Sequence, residues 1–101
     1  MTLQIKSVEQ YQEAYKKSVE DPEGFWAEQA ETFTWFEKWH TVLHHDFVTP
    51  DVRWFEGGKL NITVNCLDRH IETKGDQTAI IWEANEAFEP SKRCTYKQLL
   101  A

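Results

Sequence analysis

Residues 54 to 70 read WFEGGKLNITVNCLDRH and hold two adjacent glycines, two asparagines, a cysteine, an Asp-Arg pair and a histidine. Cys66 and His70 stand four positions apart, which on a helix puts a thiol and an imidazole on one side, as nucleophilic catalysis requires. An activated thiol also needs an electropositive setting and an oxyanion site. Neither is legible around Cys66. The same side chains have a structural use: Asn61 and Asn65 bond loop backbone, Asp68 pairs with Arg69, and His70 is satisfied at a helix end. These five residues are therefore expected to form a structural motif, and no catalytic residue is assigned.

Two further groups invite chemistry. In HTVLHHD, His40 and His44 recur at i, i+4 with His45 and Asp46 beside them, so two imidazoles and a carboxylate could face a metal. A metal site needs at least three ligands in fixed geometry, no Glu follows the first His as in H-E-x-x-H, and the surrounding pattern is irregular. Surface histidines are the expected reading, with no metal ligand. Gly57-Gly58-Lys59 lacks the longer spacing by which a phosphate loop brings several amides to one phosphate, and it predicts a tight turn.

The elements that would carry these groups follow from capping and periodicity. Ser7-Val8-Glu9-Gln10 fits a capping box, and Val8, Tyr11, Tyr15 and Val19 mark an apolar stripe, predicting a helix over 7–20. Asp21-Pro22 starts a second helix, expected over 22–33, with Phe25, Trp26, Ala30 and Phe33 on one face. From Thr32 to Phe55 the aromatics fall at irregular spacing, predicting an extended segment laid across another surface. Leu60, Val64, Leu67 and Ile71 share a helical face beside a polar stripe of Asn61, Asn65, Asp68 and Glu72, predicting one helix over 61–72 capped by Asn61. TAIIWE and the Arg93–Tyr96 run are strand candidates, joined by an exposed loop into a hairpin over about 78–96. TYKQLLA looks like the opening turns of another helix, cut short. The fold class expected is α+β, in one domain of 101 residues.

Composition narrows the function classes. The chain has 11 Lys plus Arg against 17 Asp plus Glu, a net charge of −6, and nine of the acids lie in the first 50 residues against four of the bases. A nucleic-acid partner would need a basic face, and none is visible. No window approaches a membrane span and no secretory leader is visible, so a cytoplasmic location without membrane contact is the default expectation. Cys66 and Cys94 form neither a CxxC pair nor a disulfide framework. Five Trp, six Phe and three Tyr supply more large apolar surface than one small core encloses, so part of it is expected to meet a partner.

Beyond these readings, YQEAYKKSVEDPEGFWAEQAE, then WFEGGKLN, NCLDRH, GDQTAIIWE and TYKQLL resemble, in this order, the extreme N-terminal region of acetyl-CoA synthetases, from about Tyr11 to Leu100. Propionyl-CoA synthetases share much of the pattern. The resemblance implies a parent α/β adenylate-forming ligase, several times longer, that uses ATP, magnesium and CoA to turn acetate into acetyl-CoA through acetyl-adenylate. The family's phosphate loop, ribose-binding Asp and catalytic Lys have no counterpart in these residues, so no cofactor is expected in this chain. The implied partner is the remainder of its own polypeptide, the adenylation domain. Two rivals stand beside this reading: a stand-alone module that docks onto a separate synthetase, and a small metal or thiol enzyme.

Overall fold

The computed structural model describes residues 4–101, which form two units, one running through Leu60 and the other from Asn61 to Ala101. In the first, helix α1 (Val8–Glu20) starts where the Ser7 hydroxyl accepts the Gln10 amide at 3.2 Å. The Gln10 side chain reaches back one residue further than a standard capping box, accepting the Lys6 amide at 2.8 Å. Asp21 serves both sides of the next junction: its amide donates to the Lys17 carbonyl, ending α1, and its carboxylate accepts the Gly24 amide at 3.0 Å, starting α2 (Pro22–Ala30). A Lys17–Glu28 ion pair links the two helices.

Helix α2 is three residues shorter than the 22–33 expected, and the cause is local. The Thr32 hydroxyl donates to the Gln29 carbonyl at 2.7 Å, and the Trp35 indole Nε1 donates to the Ala30 carbonyl at 2.8 Å. These side chains satisfy carbonyls that a longer helix would have used, while the Phe33 amide bonds only three residues back, to Ala30. Phe33 thereby leaves the helical face assigned to it.

The irregular aromatic segment contains a β-hairpin that the sequence reading missed. β1 (Thr41–Asp46) pairs antiparallel with β2 (Asp51–Glu56), with Leu43 opposite Trp54 and His44 opposite Arg53. The turn between them is tied by Asp46, whose carboxylate accepts the Val48 amide at 2.8 Å and the Thr49 hydroxyl at 2.9 Å. Ahead of the hairpin, Glu37 and Lys59 exchange backbone bonds of 2.9 and 3.2 Å, so the chain entering β1 pairs with the chain leaving β2.

Aromatic rings fill the space these pairings enclose. Trp35 lies 4.9 Å from Trp39 and 5.7 Å from Phe55, and Trp39 meets Phe55 at 5.3 Å, all in edge-on or tilted geometries. The two glycines are explained here. Gly57 has φ of 78°, which a side-chain-bearing residue adopts only under strain, and a Cβ on Gly58 would stand 2.7 Å from the Trp35 ring. By contrast, the α1 stripe of Val8, Tyr11, Tyr15 and Val19 turns outward, at 55–66% exposure, while Ala14 and Ser18 take the half-buried positions.

In the second unit the helix expected over 61–72 is broken. α3 (Ile62–Cys66) stops at Leu67, whose φ of −120° and ψ of −69° leave the helical region; a 3-10 turn over Asp68–His70 follows, then α4 (Ile71–Lys74). Asn65 makes the first turn of α3 a weak one. Its side-chain Nδ2 donates to the Asn61 carbonyl at 3.1 Å, and its own amide is left with a long 3.4 Å bond to that same carbonyl. Side-chain competition of this kind, in a segment with β-branched Ile62, Thr63 and Val64, weakens a helix. β3 (Thr78–Trp82) and β4 (Lys92–Thr95) then form an antiparallel pair, with a register shift between Thr78 and Ile80. α5 (Tyr96–Leu100) opens with a full capping box: Thr95 accepts the Gln98 amide at 3.3 Å, and Gln98 accepts the Thr95 amide at 2.9 Å.

Replacing Gly57 tests the positive-φ requirement. Gly57→Ala is expected to lower stability by about 1–2 kcal/mol, read from the shift of the urea midpoint at constant slope. An unchanged midpoint would show that the turn accepts other backbone conformations.

Candidate functional site

Two polar residues of NITVNCLDRH, Asn61 and Asn65, bond the backbone of α3 through their side chains. The Asn61 carboxamide accepts the Thr63 amide at 2.8 Å, capping α3, and Asn65, only 2% exposed, bonds back to the Asn61 carbonyl. Among the described residues no buried side-chain nitrogen or oxygen lacks a partner. Asp68 is exposed. Arg69 directs its Nε at the His70 ring nitrogen, 3.4 Å away, and the His70 ring lies 6.4 Å from that of Tyr96.

Cys66 and His70 do not form the thiol–imidazole pair that one continuous helix would give. The break at Leu67 separates them, with Cys66 exposed as a free thiol in α3 and His70 closing the 3-10 turn beyond it. Their four-residue spacing is a helical relation only where the helix is unbroken.

The histidines of HTVLHHD also diverge. His44 and His45 are neighbours in a strand and so point to opposite faces of the hairpin. His44 Nε2 stands 3.4 Å from an Asp51 carboxylate oxygen, His45 packs against Phe47 at 5.3 Å between ring centres, and His40 Nδ1 lies 3.0 Å from the Thr41 hydroxyl. Asp46 is committed to its turn. Among the described residues no group of three or more His, Cys, Asp or Glu side chains is placed to hold a metal ion. At the glycine pair, the Gly58 amide is bonded to the Phe55 carbonyl at 3.0 Å and Lys59 Nζ to Glu37 at 2.8 Å, so neither is directed at a phosphate.

The sequence reading missed the polar face of the β1–β2 hairpin, because it did not pair those strands. Arg53 Nε contacts both Asp51 carboxylate oxygens at 3.1 Å, and another guanidinium nitrogen reaches Glu56 at 2.9 Å. A D-x-R-x-x-E spacing on one strand would have been the available signal. The Arg53 hydrogen bonds hold the Asp51 carboxyl below its ordinary range, with the Arg53 and His44 charges assisting, and Arg53 is raised in turn. The Val48 amide and then the Thr49 hydroxyl lower Asp46. This arrangement is a salt-bridge network on a strand surface, and among the described residues no metal-holding group lies beside it.

Two predictions follow from this geometry. Asn65→Ala removes a buried carboxamide and is expected to lower stability by about 1–3 kcal/mol, whereas Cys66→Ser changes it by less than about 0.5 kcal/mol, both by denaturant unfolding. Asp46 and Asp51 have folded pKa values lowered from 3.8, so their contribution to the hairpin is complete above that value and lost as pH falls through the lowered values. Acidification from neutrality to about pH 2 should therefore loosen the hairpin, seen in Trp54 fluorescence, and Asp51→Asn should flatten the profile.

A family model described as acetyl-coenzyme A synthetase N-terminus matches residues 11–66, more than half of the chain. The acetyl-coenzyme A synthetase of Halorhodospira halophila is 56% identical over 92 residues, covering 90% of this chain and 14% of that protein. That of Alkalilimnicola ehrlichii is 57% identical over 90 residues, and the acetyl-coenzyme A synthetase 2 of Pseudomonas aeruginosa is 48% identical over 90, each covering 88% of this chain and 14% of the relative. The chain thus spans about a seventh of the length of these curated relatives, and it belongs to the acetyl-coenzyme A synthetase N-terminus family.

Proposed function

We propose that these residues are the N-terminal part of an AMP-forming acetate–CoA ligase and act there as a structural element that packs on the adenylation domain. Catalysis then belongs to the rest of the polypeptide: acetate and ATP give acetyl-adenylate and pyrophosphate, and the CoA thiol displaces AMP. The supporting observation is where the apolar surface lies. Among the described residues Ala30 is the one buried hydrophobic, while Val8, Tyr11, Tyr15 and Val19 on α1, Phe47 and Val48 at the hairpin tip, and Ile80, Ile81 and Trp82 on β3 remain exposed. Patches of this kind on several elements mark surfaces that meet other protein.

In this reading the chain itself holds no nucleotide, magnesium or CoA. The glycine amide and Lys59 are engaged internally, and the described carboxylates and histidines do not converge in threes. No chemical step is therefore assigned to this chain. Asn61, Asn65, Asp68, Arg69 and His70 have, in this reading, the task of shaping the α3–α4 bend. Among the described residues no helix is long and apolar enough to cross a membrane. A cytoplasmic enzyme on small soluble substrates suits the reading.

Activity and fluorescence together test it. The full-length polypeptide should release AMP only when acetate, ATP and CoA are all present, and the 101-residue chain alone should release none. Acrylamide should quench the Trp residues less in the full-length protein than in the short chain, where Trp26, Trp54 and Trp82 are 43–46% exposed. Equal quenching would remove the packing role, and turnover by the short chain would remove the assignment of catalysis elsewhere.

A further inference from the structure

The β3–β4 sheet has two free edges of different character. β4 reads KRCT and follows a loop containing Pro90, so Lys92 and Arg93 put charge along it. Charge and proline are the means by which an outermost strand discourages further pairing. β3 reads TAIIW and carries neither. Ile80 and Ile81 are successive strand residues and lie on opposite faces of the sheet, yet they are 47% and 59% exposed, and among the described residues β3 pairs with β4 alone.

A strand that is apolar on both faces is the pattern of one covered on both sides within a larger sheet, whereas a hairpin with one wet face alternates apolar and polar residues. A two-stranded hairpin is also marginal by itself. We propose that β3 is an interior strand, whose edge away from β4 takes a further strand from the same polypeptide outside these 101 residues, with apolar side chains covering both faces. The occupant rests on the reading of the chain as part of a longer synthetase, whose relatives it covers by only 14%. A second copy joined β3 to β3 would satisfy the backbone but leave Ile80 and Ile81 uncovered on both faces. The charge on β4 makes that strand the outer one.

Residue-resolved hydrogen exchange on the full-length polypeptide tests the strand. The β3 amides directed away from β4 should exchange about 100-fold or more slower than in an unfolded chain, independently of protein concentration. Ile80→Lys and Ile81→Lys should each lower Tm by about 5 °C or more, since each places a charge on a covered face. Exchange of the outward amides at unfolded-chain rates overturns the proposal, even if neither variant can be folded. Protection lost on dilution overturns it in favour of a second copy, and destabilisation by only one of the two variants overturns it in favour of an edge hairpin. Protected amides in a protein that does not activate acetate would sink the functional reading and leave the strand inference standing.

Discussion

The first unit depends on the position of one indole. Trp35 gives its ring N–H to the Ala30 carbonyl, which closes α2, and lays its ring against Trp39, Phe55 and Gly58. A tryptophan can do this because it joins a large apolar body to a single directional donor. The helix end, the strand-leading segment and the glycine turn are thereby fixed to one rigid group. The hairpin inherits its placement from this contact, since Phe55 lies in β2 and Gly58 two residues beyond it. Phe55 has a φ of 49°, uncommon for an aromatic residue, and that conformation is held where its ring meets three tryptophans.

That cluster consumes only part of the chain's aromatic content. Much of the rest is exposed, Phe36, Phe47 and Phe88 among it, and the most ordered example is α1, where Tyr11 and Tyr15 stack at 6.2 Å on the outward stripe. Periodicity told correctly that these residues share a face. It could not tell which way the face points, because Ala14 and Ser18 on another side of the same helix are small enough to pack closely. Small residues permit close approach, and large ones left outside are available to something larger.

The density of polar chemistry in NITVNCLDRH has a backbone explanation. Short helical pieces leave many unsatisfied amides and carbonyls per residue, and asparagine meets both needs because its carboxamide accepts and donates. Asn61 accepts an amide and Asn65 donates to a carbonyl within the same five-residue helix. A segment that turns sharply while partly buried therefore collects the same residue types as an active site. What separates the two cases is direction. Here the asparagine bonds run into the chain's own backbone, with the Asn65 side chain sealed from solvent and the Cys66 thiol exposed.

Local signals were legible wherever a few adjacent residues decide the outcome. Ser7, Asp21 and Asn61 announced helix starts, the glycine pair announced a turn, and the dense run of matched motifs announced the family. Other features needed partners distant in the chain. The β1–β2 hairpin was unreadable as a pattern because its strands mix histidines, aromatics and charges, and pairing is set by cross-strand contacts such as Leu43 with Trp54. The break at Leu67 was hidden because the apolar spacing across it still fits a helix. Sequence alone thus determined element starts, turn chemistry and kinship, which depend on local stereochemistry and residue identity. Tertiary structure decided strand pairing, which face of α1 turns inward and whether Cys66 meets His70, because these depend on which surfaces pack and which backbone bonds survive the packing.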